Sequence, residues 1–411
     1  MKKKKYVVVL GDGMADEPIE SLFGKTPLEY ADTPALDRLS PLSEIGMAYT
    51  IPKGMKPGSD TANLSVLGYD PARYYSGRSP LEALSIGVPM KDTDVAIRCN
   101  IVTISEGDVP FEKKRILDHS SGEISTEECA VLLDAVKKEL QNETYRFYTG
   151  TSYRHCLIWD QGSVVELTPP HDVLGQVIGT YLPAQKDLLY MMKKSYEILV
   201  EHPVNIERKK RGLNPANCCW FWGAGTKPAL SSFQEKYGLK GMMISAVDLL
   251  KGIATGAGMG VACVEGANGG LHTNYEGKVQ AALNALEGGY DFAYIHVEAP
   301  DEMGHQGSVE KKVQAIEYLD QRVIGPLTRA LDEEGTAYRL LVMPDHPTPV
   351  RVRTHTADGV PYLLYDSESH KDESWHYNEK EAAKSGNEIT LGHTIMDRLT
   401  KNSKNEEKIL K

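Results

Sequence analysis

The chain has 411 residues, more than one hydrophobic core usually serves, so two domains are the default expectation. Its 41% hydrophobic and 25% charged residues are ordinary for a soluble globular protein. A formal net charge of -11 argues against a general nucleic-acid surface or an anionic membrane as partner, while still allowing an anionic small substrate inside a cation-lined cleft.

The N-terminal MKKKKYVVVLGDG begins like a signal sequence, but its apolar run is shorter than the roughly 7–15 residues a secretory core needs. YVVVL reads instead as a first buried strand, with Asp12 just beyond it. Thr33-Pro34 opens TPALDRLS with a capping residue and a first-turn proline. In KPGSDTANLSVLGYDP, Gly58 permits a tight turn and Ser59 begins a helix. Local pattern makes Ser59 an N-cap. A serine at a helix N-terminus beside a metal ion can also become a nucleophile toward phosphorus.

The middle of the chain differs. Val95–Ile104 alternates, Ser125–Leu140 is a well-capped helix, and Arg154–Asp160 with Ser163–Leu167 look like paired strands. This is an α+β module over residues 91–226, inserted into a domain formed by residues 1–90 and 227–411. In the second half, GVACV, YDFAYIHV and YRLLVMP are continuous apolar strands, and Ser308 precedes the amphipathic helix VEKKVQAIEYLDQRV. The alternation predicts an α/β fold, a doubly wound, mostly parallel sheet carrying the inserted α+β domain. The terminal KNSKNEEKILK reads as a frayed tail. Six cysteines without CxxC spacing read as reduced thiols, and no run approaches the roughly 18 apolar residues of a membrane span, so the expected compartment is the cytoplasm.

Three apolar strands end in acids: Asp12 after YVVVLG, Asp301 after FAYIHVE, and Asp345-His346 after YRLLVMP. In a parallel sheet such ends share one edge, where α/β folds bind ligands. Asp301 and His305 lie four residues apart, so one helical turn can aim both at a single ion. Alone, that pair reads more readily as a capped loop with a solvated histidine. Together with Asp12, Asp345, His346 and His355 in RTHTADGVP, metal binding becomes the stronger reading.

The stretches GDGMAD, GKTPLEYADTPALDRL, PGSDTANLSVLGYDP, YYSGRSPLEA, RCNIVT, HPVN, NPAN, APDEMGHQG and MPDHPTP carry a resemblance almost from end to end. The chain resembles the archaeal-type cofactor-independent (2,3-bisphosphoglycerate-independent) phosphoglycerate mutases, within the alkaline phosphatase superfamily. That resemblance implies an alkaline-phosphatase-like α/β domain with an inserted substrate-binding domain. It implies two divalent metal ions, manganese or zinc, with magnesium also admissible. Asp301, His305 and His355 would hold one; Asp12, Asp345, His346 and the Ser59 hydroxyl would hold the other. Ser59 would take the phosphoryl group from 3-phosphoglycerate and return it to the 2-hydroxyl, in a cleft closed against water.

For the small phosphorylated substrate, Arg98 in RCN, Arg154 in YRHC and Lys240 in LKGMM are the first candidates, each reading equally well as a surface charge. Asn100, His155 and Lys227 follow. The chain departs from the family in two places. LDHSSGEIS offers Asp118 and His119 where an arginine pair is expected, and WGAG puts Trp222 where the mutases read roughly RGAG. The WGAG form resembles a subgroup proposed to be homoserine kinases. A homoserine phosphotransferase and a metallophosphohydrolase are therefore the alternatives, although no GxxxxGK[ST] loop or kinase signature is present.

Overall fold

The computed structural model describes residues 3–372 and 374–400, so the lysine-rich tail lies outside the described residues. In chain order the strands are β1 (Lys5–Gly11), β2 (Glu44–Ala48), β3 (Val95–Ile104), β4 (Ile116–Asp118), β5 (Tyr145–Tyr148), β6 (Arg154–Trp159), β7 (Cys218–Thr226), β8 (Gly241–Ile244), β9 (Gly260–Ala262), β10 (Phe292–Val297), β11 (Tyr338–Met343), β12 (Val360–Asp366) and β13 (Glu388–Ile389). The chain folds as two compact units. One runs to Tyr75 and resumes at Leu230; the other is Ser76–Ala229.

The first unit is built on an eight-stranded sheet of order β13-β2-β12-β11-β1-β10-β8-β9. β1 lies at its centre because Val7, Val8, Val9 and Leu10 are fully buried, as a parallel strand covered on both faces requires. It pairs in parallel with β10 and β11, and β10 in turn with β8. The expected α/β architecture is present, with β12 as an antiparallel element between β11 and β2. Pro361 hides β12 from the sequence, because proline inside an apolar run argues against a sheet interior. Here it stands at the second residue of the strand.

Two helix expectations shift. VEKKVQAIEYLDQRV is helical from Val309 to Leu319, then widens into one π turn, Asp320–Ile324, before the next helix starts at Gly325. Within this turn, the Asp320 carboxylate accepts the Ala35 and Leu36 amides at 2.9 and 2.8 Å. Asp320 thereby caps the helix Pro34–Leu39 from a distance, where Thr33 makes no side-chain cap.

The second unit is an antiparallel sheet in which β3 pairs with β4, β6 and β7, and β6 with β5. Helices Thr126–Leu140 and Lys186–Leu199 contribute Leu132, Leu133, Leu188 and Met192 to its core. Ser125 caps the first of them, its hydroxyl accepting the Glu128 amide at 3.2 Å. Residues 163–167 are not a strand; the partner of β6 is β5, whose Tyr145 and Phe147 turn into the core. The unit also begins earlier than residue 91. Helix Arg78–Ser85 belongs to it, since Glu82 pairs with Arg98 of β3 and Ser79 hydrogen-bonds the Gly223 carbonyl of β7. Five cysteines are buried and Cys263 is exposed, all of them free thiols. Among the described residues, no helix is long and apolar enough to cross a membrane.

Candidate metal centre

Parallel register places Leu10 of β1 opposite both His296 of β10 and Met343 of β11, so these three strands end together. Asp12 lies just past β1. Asp301 sits in the first turn of helix Ala299–Gln306, which follows β10. Asp345 and His346 follow β11, and the loop beyond them folds back through the Thr356 amide to the Pro347 carbonyl at 3.0 Å, bringing in His355.

His346 is common to two groups of donors. Its Nε2 lies 3.6 Å from Asp12 Oδ1, 3.4 Å from Asp345 Oδ2 and 3.1 Å from Ser59 Oγ. Its ring stands 4.0 Å from that of His355. Asp301 approaches His305 Nε2 at 3.2 Å and His355 Nε2 at 3.5 Å, and these two imidazole nitrogens are 3.0 Å apart. One donor atom each from Asp12, Asp345 and His346 lies within 4.8 Å of the others, and the same holds for Asp301, His346 and His355. Ser59 is not an N-cap. Gly58 takes the cap position and Ser59 is the first helical residue, its hydroxyl turned to His346.

The chemistry of this set calls for cations. Asp12, Asp301 and Asp345 converge, yet among the described residues no lysine or arginine forms an ion pair with any of them. Burial, then the charges of Asp345 and Asp301, push the Asp12 carboxyl well above its ordinary range. Asp12 Oδ1 is buried without a hydrogen-bond partner. Such a charge is costly unless it is paired or ligates a metal. Oxygen and imidazole donors in this mixture suit zinc, manganese and related divalent ions.

A supporting layer, unread in the sequence, fixes these donors. His296 lies inside β10, with Nε2 3.0 Å from Asp12 Oδ2 and Nδ1 3.2 Å from Ser245 Oγ. Asn63 donates to Asp345 Oδ2 at 2.9 Å and to the Ser59 carbonyl at 2.8 Å, and accepts the Tyr294 hydroxyl at 2.6 Å. Gly13 has a φ of +60°, and a Cβ there would lie 2.5 Å from both Asp301 Oδ1 and Thr348 Oγ1. The readable signal was a histidine inside the wholly buried strand FAYIHV, where a polar side chain needs a partner.

The substrate candidates fare differently. Arg98 forms a bidentate pair with Glu82 and lies 4.2 Å over the Trp222 ring, so its charge is already met. Asn100 is buried, accepting the Trp222 indole N–H at 3.0 Å and donating to the His119 carbonyl at 3.3 Å. Trp222 thus takes a structural place beside Arg98. Lys227 pairs with Asp92 at 3.1 Å. Lys240 precedes β8, at the opposite edge of the sheet from Asp12, with its ammonium 4.3 Å from the Tyr290 ring. Arg154 is exposed and, like Lys240, has no carboxylate partner among the described residues; its guanidinium lies 5.5 Å over Tyr153.

His155 is a core residue. Its Nδ1 accepts the Gly150 amide at 3.1 Å, which leaves Nε2–H to face Cys129 Sγ at 3.1 Å. Burial lowers its pKa to about 4. A base with a lowered folded pKa contributes its stability above the unfolded value near 6.5 and loses it as pH falls toward 4. Stability should therefore drop by about 3 kcal/mol across that window. Urea titrations at several pH values should show this slope in the wild type and its flattening in His155→Gln.

The arrangement defines a class: an α/β protein with a twin acid–imidazole centre at the C-terminal strand edge and a serine hydroxyl facing it. Comparisons with known proteins narrow this. Residues 42–205 match the family model described as 2,3-bisphosphoglycerate-independent phosphoglycerate mutase. A protein of that name from Methanosarcina acetivorans is 47% identical over 93% of this chain and 96% of its own. One from Methanothrix thermoacetophila is 46% identical over 95% and 98%. Among solved structures, a Pyrococcus horikoshii protein superposes with a TM-score of 0.81 at 31% identity, covering 98% of this chain and 97% of its own. The cofactor-independent phosphoglycerate mutase of Thermoplasma acidophilum gives 0.68 at 27% identity, covering 97% and 99%. The chain belongs to the 2,3-bisphosphoglycerate-independent phosphoglycerate mutase family.

Proposed function

We propose that this protein interconverts 3-phosphoglycerate and 2-phosphoglycerate through a phosphoserine at Ser59, without a bisphosphoglycerate cofactor. The observation that carries the reading is Ser59 Oγ at 3.1 Å from His346 Nε2, beside converging acids that pair with no lysine or arginine among the described residues. Asp301, His305 and His355 would hold one divalent cation; Asp12, Asp345, His346 and Ser59 would hold a second. Bound cations would favour the serine alkoxide and offset charge on the phosphoryl oxygens. His346 Nε2 faces the Ser59 hydroxyl and both acids, which makes it the nitrogen that would ligate beside the serine oxygen. Asn63 holds the Ser59 carbonyl and Asp345 together, which fixes the direction of attack.

Of the substrate candidates within residues 76–229, Arg154 has a charge not met by a carboxylate among the described residues, which suits it to an anion. Homoserine phosphorylation is not favoured, because relatives at 46–47% identity over nearly the whole chain carry the mutase name. The test supplies 3-phosphoglycerate and Mn2+ without bisphosphoglycerate and couples 2-phosphoglycerate to enolase. Turnover that chelator removes and Mn2+ restores is the expected result. No turnover by protein shown to be folded and metal-loaded would overturn the reading, and ATP-dependent phosphorylation of L-homoserine would replace it.

A further inference from the structure

Phe23 is out of place twice over. It is 87% exposed, whereas the next most exposed large apolar side chain among the described residues, Tyr190, is 60% exposed. Its backbone is also left-handed, with φ at 58°, a conformation that bulky side chains rarely adopt. It stands at the tip of a turn closed by its own amide on the Glu20 carbonyl at 3.0 Å and by the Ile19 amide on the Lys25 carbonyl at 2.9 Å. The turn is tied down on both sides, since Glu379 accepts the Asp16 amide at 3.1 Å and the Thr26 hydroxyl at 2.6 Å. Next to it runs an open groove of about 440 Å³, lined by Leu22, Tyr30, Val309 and Val313 together with the acids Glu310 and Glu317. Phe23, exposed as it is, does not fill this groove. Helix Val309–Leu319, which forms one wall, is fixed to the same loop through Lys312, whose ammonium donates to Asp16 Oδ2 at 2.8 Å.

A projecting ring beside an apolar groove, both held on one block, is self-complementary. A twofold axis between two copies places each ring in the other's groove in a single step, the isologous arrangement of most dimers. The charges fit the same axis. Lys25, two residues past Phe23, and Glu310 in the groove are both exposed, and neither forms an ion pair among the described residues. Exchange across the axis gives each lysine an acid. Anchor and groove are already in position, so association orders little that was free. We infer that the groove is filled by Phe23 of a second copy, making the protein a twofold dimer in which Lys25 meets Glu310. Every one of these residues lies in the unit that ends at Tyr75 and resumes at Leu230, and none belongs to the candidate metal centre. The dimer therefore stands or falls independently of the proposed function.

Sedimentation velocity of the full chain over a wide range of concentrations should show a dimer. Asparagine tolerates the left-handed backbone, so Phe23→Asn keeps the turn and removes only the ring. It should raise the dissociation constant at least roughly 30-fold, as loss of an aromatic anchor from an apolar pocket does. Lys25→Glu and Glu310→Lys should each weaken the dimer, because each sets like charges across the axis. The double variant Lys25→Glu/Glu310→Lys restores opposite charges and should recover most of the loss. A chain that sediments as a monomer at every concentration would overturn the inference and leave the patch to a different protein. A dimer that Phe23→Asn does not weaken would overturn it as well, since its interface must then lie elsewhere.

Discussion

Ser59→Ala should lower mutase turnover by about 10⁴-fold or more while the protein stays folded. The asymmetry follows from what the hydroxyl does. Its one hydrogen bond among the described residues runs to His346 Nε2, and it caps nothing, since Gly58 holds the cap of helix Ser59–Val66. Loss of one such bond costs roughly 1 kcal/mol in stability. Loss of the nucleophile removes the covalent route altogether. Metal titration by calorimetry should show one group of donors unaffected and the other weakened, because Ser59 belongs to only one. A Ser59→Ala protein that still turns over 3-phosphoglycerate would exclude the phosphoserine pathway. Mass analysis of wild type quenched during turnover should find phosphate on the peptide PGSDTANL and nowhere else.

Lys312→Met should be the most destabilising single change away from the metal centre. Lys312 lies on helix Val309–Leu319 with its ammonium fully buried, donating to Asp16 Oδ2 at 2.8 Å, the Thr348 carbonyl at 2.8 Å and the Ala15 carbonyl at 3.2 Å. Burial lowers its pKa and Asp16 opposes that shift. Methionine fills the same volume but strands the Asp16 carboxylate, which keeps only amide donors such as Val350 at 3.1 Å. Breaking a buried pair on one side costs about 3–5 kcal/mol. With about 2.1 cal/mol/K of unfolding entropy per residue, each kcal/mol moves the Tm of a 411-residue chain by roughly 1 °C, so a drop of about 3–6 °C is expected by circular dichroism. Asp16→Asn placed in the Lys312→Met background should recover part of it, because the stranded charge is gone. A single variant within 1 °C of wild type would show that this pair is not what holds the two loops.

The site was more legible than the substrate contacts, for a physical reason. The proposed metal donors are constrained by strand ends: Asp12, Asp301 and Asp345 each follow an apolar run, and parallel pairing of β1, β10 and β11 brings those ends to one edge. Runs such as YVVVL and FAYIHV announce such strands without help from the rest of the chain. β12 was hidden by Pro361, and the cap on helix Pro34–Leu39 was hidden because Asp320 acts from almost three hundred residues away. His296 and Asn63 were missed for the same reason. Each acts through a tertiary hydrogen bond, and nothing in its neighbours along the chain distinguishes it. Arg98, Asn100 and His155 misled in the opposite sense. Their chemistry suits an anion, but Glu82, Trp222 and Cys129 already occupy it.

The split of the first unit has a consequence for how the protein is made. Asp12 and Ser59 leave the ribosome early, whereas His355 follows Ser59 by about 300 residues, a delay of roughly 15–60 s at about 5–20 residues per second. For most of that delay β1 has neither neighbour, since β10 begins only at Phe292 and β11 at Tyr338, and its valines have no parallel partner to pair with. Ser76–Ala229 is continuous, so every strand of its sheet has been made once Ala229 is added. The nascent chain then holds one unit with all its strands and another whose central strand still lacks its partners. The stretch YVVVL is where a chaperone would be needed, until the last third of the protein arrives to cover it.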